Sequence, residues 1–133
     1  MPAKKYISKI NKGGDDLYIK DVEAQQNKED KTDIVSSTVS NLPATLSVGT
    51  YYNISDTVSS MTLQLPAVTD NSHLSIIAVY FTTGSGTPSV NITSANSATI
   101  SYFSGYAIKA STTYELNIMW NGTKWIVAYA TIG

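Results

Sequence analysis

The stretch TYELNIMWNGTKWIVAY, residues Thr113 to Tyr129, constrains the fold of this chain more than any other. Asn121-Gly122 sits between two runs in which apolar and polar residues alternate. That is the strongest short-range sign of a β-hairpin, because both residue types tolerate the positive φ that a tight turn demands. With a two-residue loop, Ile118 faces Trp125, Leu116 faces Val127 and Tyr114 faces Tyr129. With a four-residue loop, Trp120 faces Trp125. Either way the large apolar side chains share one face. The hairpin is predicted to supply much of a core, at about 1.5–3 kcal/mol for each large side chain buried.

The same period of two runs back to Ala44. ATLSVGTYYNIS reads as a strand, a turn at Gly49 and a second strand. SSMTLQLPAV alternates Met61, Leu63 and Leu65 with Thr62 and Gln64. HLSIIAVYFTT is the most apolar run and reads as a central strand, closed by Gly84-Ser85-Gly86. SVNITS, ATISYF and YAIKA follow, each bounded by Gly, Asn, Ser or Pro. Strands this short and this regularly spaced predict a mainly β domain over residues 44–133, a jelly-roll-like antiparallel sandwich of about eight strands.

Residues 1–43 differ. Residues 1–33 hold seven of the nine lysines and seven of the ten acids, and arginine is absent throughout. The first fourteen residues read as a flexible basic arm. Leu17 and Ile19 alternate with Tyr18 and Lys20, which suits a short strand. A short exposed helix is predicted from Asp21, an acceptable N-cap. Val35, Val39 and Leu42 then recur at spacings of four and three before Pro43, a face that the sequence ahead cannot bury. They are the candidate contact between copies, in a linker leading to the β domain. Lys4, Lys5, Lys9 and Lys12 suit an acidic surface, while Leu17 and Ile19 suit addition to an exposed sheet edge. Those six are the candidate docking residues.

Charge balance gives no case for nucleic acid or an anionic membrane, which need a basic excess. No apolar run is long enough for a transmembrane helix, and the start lacks the apolar run of a signal peptide. Without cysteine there is neither a disulfide nor a thiolate metal site. The single histidine, His73, has no nucleophile assigned to it by spacing, and Asp56, Asp70 and Glu115 stand apart, so catalysis is not predicted. No cofactor or metal is implied. TGSGTP lacks the lysine of a phosphate loop. Adjacent aromatics in one strand cannot both face a core, so Tyr51, Tyr52, Tyr102 and Tyr106 are candidate contacts for a glycan or a neighbouring subunit.

Two stretches resemble known proteins. DDLYIKDVEAQQ resembles a segment near the start of many bacteriophage appendage and baseplate proteins. Thr62–Ala67, Ser75–Thr82, Tyr114–Gly122 and Trp125–Ala128 resemble, in order, the recurring strands of a small β domain that ends many phage fibre and head-decoration proteins. The nearest setting is the head fibres of crAss-like phages. The resemblance implies a non-enzymatic virion protein made in the host cytoplasm. It implies a homotrimer docked by its front segment on a capsid protein, less readily on the tail or baseplate, and displaying its β domain to the outside. A host-surface glycan is then a further candidate partner.

Overall fold

The computed structural model of the protein describes residues 32–133. The basic arm, the strand expected at Leu17 and Ile19 and the helix expected from Asp21 lie outside the described residues.

The described part is mainly β, with eight strands and a single turn of 3-10 helix. The strands are β1 (Asp33–Ser37), β2 (Thr50–Val58), β3 (Ser60–Leu65), β4 (Ser75–Thr83), β5 (Ser89–Ser94), β6 (Ile100–Tyr102), β7 (Thr113–Trp120) and β8 (Trp125–Ile132). Six form one sheet in the order β1-β2-β4-β7-β8-β6, and β3 and β5 form a second, two-stranded sheet.

The strand directions correct the antiparallel expectation. β4–β7 and β7–β8 are antiparallel, but β1–β2, β2–β4, β3–β5 and β6–β8 are parallel. The chain does not turn back on itself after β2. A single residue, Ser59, carries it round a corner into the second sheet as β3, and it returns as β4 beside β2. It then crosses again as β5 beside β3. Each return follows a crossover, so each new strand lies parallel to the one it joins. These windings make a short coil, and the β7–β8 hairpin closes one side of it.

Two layers result, with the core between them. From the large sheet come Tyr52, Ile54, Val58, Ile77, Val79, Phe81, Tyr114, Leu116, Ile118, Trp120, Trp125 and Val127; from the small one come Met61, Leu63, Leu65 and Ile92. The alternation in β7 is complete, with every second residue from Tyr114 to Trp120 buried. The hairpin adopts the four-residue register, Trp120 opposite Trp125 and Ile118 opposite Val127. Asn121 selects it: its Oδ1 accepts the N–H groups of Thr123 and Lys124 at 3.0 and 2.9 Å, an Asx-type turn.

The segment before Pro43 also departs from expectation. Ile34 and Val35 lie in β1, the residues Val39–Asn41 make one 3-10 turn, and Leu42 is extended. The β-branched, hydroxyl-rich run IVSSTV suits a strand better than a helix. Asp33 enters the large sheet, its N–H donating to Gly49 O, so the folded unit begins there and not at residue 44. YAIKA, expected as a strand, is a loop.

Candidate functional site

The most built feature outside the core is the loop of residues 103–112, between β6 and β7. It has no secondary structure of its own. Three hydroxyls from the strands beneath hold it instead. Tyr114 Oη accepts the Lys109 N–H at 2.7 Å and donates to Ala107 O. Thr83 Oγ1 donates to Lys109 O at 2.6 Å and accepts the Thr112 N–H at 3.0 Å. Tyr129 Oη donates to Gly105 O at 2.8 Å. Among the described residues Thr83 is one of two that are buried and polar, and these bonds satisfy it. Ser111 adopts a left-handed φ of 52° and its N–H donates to Gly84 O. Beside the loop, Lys109, Ser111, Tyr129, Thr131 and their neighbours line a groove of about 580 Å³.

A chain of rings leads from the core to this edge. Phe81, Tyr114, Tyr129, Tyr106 and Tyr102 follow one another at centroid separations of 5.6, 6.2, 5.5 and 4.6 Å. Tyr102 and Phe103 end it, both exposed. The Tyr106 hydroxyl is buried with no hydrogen-bond partner among the described residues. Burial, with Tyr102 and Tyr114 nearby, pushes its pKa up to about 12. Burial also raises that of Tyr102.

The opposite, outer face of the large sheet carries a second polar group. Tyr51 Oη donates to Glu115 Oε1 at 2.6 Å, and Asn117 Nδ2 donates to Glu115 Oε2 at 3.4 Å. That bond to Glu115, then burial, pushes the Tyr51 hydroxyl up to about 12. The sign for stability follows. The unfolded chain releases these two protons near pH 10.0 while the folded chain holds them to about pH 12, so stability falls as pH rises through that window. A tyrosinate-absorbance titration should show a late component that shrinks in both Tyr51→Phe and Tyr106→Phe. A variant that loses absorbance only near pH 10 contradicts the placement of its hydroxyl.

Asp70, Ser72 and His73 meet in an exposed loop, but not as a catalytic triad. Asp70 Oδ2 and Ser72 Oγ both approach the same ring nitrogen, His73 Nδ1, at 2.9 and 3.2 Å, whereas a triad needs its acid and its nucleophile on opposite nitrogens. Asp70 also accepts the Ser72 N–H and hydroxyl. Its pKa is lowered, by the Ser72 backbone first. The group is a turn. Among the described residues no cluster of three metal-ligating side chains occurs, and no helix is long and apolar enough to cross a membrane.

The structure separates the residues singled out from sequence. Tyr52 is 3% exposed, its hydroxyl accepting the Ser47 N–H, which removes it as a surface contact. Tyr51 lies on the outer face in β2, beside the β1 edge of the large sheet, while Tyr102 and Tyr106 lie at the opposite, β6 edge, so they do not make one site. Val39 and Leu42 are partly buried and pack against the protein's own core. Val35 is exposed. Lys4, Lys5, Lys9, Lys12, Leu17 and Ile19 lie outside the described residues. Thr83, Tyr129 and Glu115 were not singled out for these roles. Their partners lie 24 to 64 residues away, and no local pattern announces such pairs. No protein-family model, curated protein or solved structure matches the chain.

Proposed function

We propose that the protein is a structural component of a bacteriophage virion, a short head fibre or capsid decoration protein anchored by its front segment and displaying its β domain. One observation carries the reading. Many of the β-domain residues on which the resemblance rests build the core: Leu63 and Leu65, Ile77, Val79 and Phe81, Leu116, Ile118 and Trp120, Trp125 and Val127 are all buried. The likeness thus includes positions that specify a fold, alongside polar positions of the same strands. The concentration of seven lysines in the first 33 residues supports a division between an attaching segment and a displayed domain.

Removal of residues 1–31 tests this. Asp33 must stay, because its N–H joins the sheet. The truncated protein should melt cooperatively as a β domain and be absent from purified particles that full-length protein decorates. Full occupancy by the truncated form would place docking in the β domain.

A second reading, adhesion to a host glycan, is favoured by one feature. Tyr102 and Phe103, consecutive at the end of β6, both present exposed rings, and such faces stack on the apolar side of a sugar ring. Glycan-array binding lost in Tyr102→Ala would support it.

A further inference from the structure

β6 stops at Tyr102, but β8 runs on to Ile132. The bonds joining these strands fix the direction of alternate peptide groups along β8. The Trp125 N–H donates to Thr99 O and the Phe103 N–H donates to Val127 O, each at 2.9 Å. The peptide groups of Tyr129 and Thr131 therefore point the same way, past the end of β6, while the intervening residues bond β7. Among the described residues none pairs with the backbone of Tyr129 or Thr131 on that side.

This free stretch of edge carries no charge, proline or bulge of its own, three of the devices that keep edge strands apart. From Trp125 to Gly133 there is no charged residue and no proline. The outer-face positions Ile126, Ala128, Ala130 and Ile132 are all apolar, and Ile132 is 45% exposed. β1, the other edge of the sheet, opens instead on Asp33.

The edge is also complementary to itself. A twofold axis beside Ala130 sets Tyr129 opposite Thr131 of a second copy, and Thr131 opposite its Tyr129. Each pair exchanges two N–H···O bonds, the pattern of an antiparallel ladder. Ala130 then faces its own counterpart at a non-bonded position, where Cα atoms approach to about 4.5 Å and a small side chain is an advantage. Ala128 falls beside Ile132 of the second copy, so the two apolar rows become continuous on one face. We infer that two copies of this chain associate about a twofold axis through antiparallel pairing of the free ends of β8, Tyr129–Ile132.

Sedimentation of the full-length chain should give twice the 14.3 kDa chain mass at high concentration and the single mass on dilution. Ala130 is exposed, so Ala130→Lys should leave the fold intact while setting two like charges against each other, weakening the dimer by about tenfold or more. Thr131→Pro removes an N–H that β7 does not use and should act likewise. Thr62→Lys, at an exposed position of β3, should leave the dimer unchanged. If either edge variant fails to fold, hydrogen exchange of the unaltered protein decides. The Tyr129 and Thr131 amides should exchange slowly at high concentration and faster on dilution. A single or threefold mass at high concentration, a dimer indifferent to both edge variants, or exchange that ignores dilution would overturn the inference.

Discussion

Trp125→Ala should destabilise the domain by about 3–5 kcal/mol, the range for deleting a large aromatic side chain from a close-packed interior. Trp125 is fully buried and stacks edge-on against Trp120 at 5.5 Å. It lies on β8 between β7 and β6, opposite Trp120 and Ile100, so neighbours on both sides hold the cavity open. Its indole N–H has no partner among the described residues, and an unsatisfied buried donor is itself costly. Trp125→Phe keeps much of the ring and removes that donor, so it should cost only about 1 kcal/mol. Urea unfolding of both variants gives the comparison. Equal losses would mean that ring volume is not what the site requires.

Gly122→Ala should cost about 2–4 kcal/mol, from two causes that act together. Gly122 has φ +94°, which a side chain resists, and a Cβ there would lie 2.7 Å from the backbone oxygen of Asn71. That neighbour is not free to retreat without loss, because Asn71 Oδ1 accepts the Trp120 indole N–H at 3.1 Å. The hairpin loop and the loop before β4 are thus locked together, and moving one loosens a core tryptophan. Thermal unfolding with tryptophan fluorescence as the probe should show both the loss and the altered environment of Trp120. A change within about 0.5 kcal/mol, as for ordinary surface positions, would contradict this lock.

What the sequence revealed and what it hid follow from the kind of information alternation carries. Alternation says which side chains share a face, and there it served well. The hairpin face is the one predicted. The parity of β2 even resolves Tyr51 from Tyr52, since Tyr52 shares its face with buried Ile54 and Tyr51 with exposed Asn53. Alternation says nothing of the direction of the neighbouring strand, because a pleat presents the same two faces to a parallel and an antiparallel partner. The coil of β2, β3, β4 and β5 was therefore invisible. The spacing of Val39 and Leu42 is open to a similar ambiguity. A spacing of three also fits one 3-10 turn, and the neighbouring Ser and Thr gave no help to a helix. The hydroxyls that pin the 103–112 loop were beyond reach, since they act across distant strands.

The order of strands in the large sheet governs when the domain can form. β4, in the middle, must pair with β7, and β6 has no hydrogen-bonded neighbour until β8 exists. Residues 113–133 supply both missing partners. A chain emerging from the ribosome therefore carries the apolar rows of β2, β3 and β4 with their sheet half built, and unpaired strands of this kind are open to misassociation. The local β7–β8 hairpin forms quickly once complete, whereas the crossover pairings must wait for distant contacts and are slow. Folding of this domain is thus completed only once residues 113–133 are available to pair. A ribosome stalled before Thr113 should hold a nascent chain that proteases still digest.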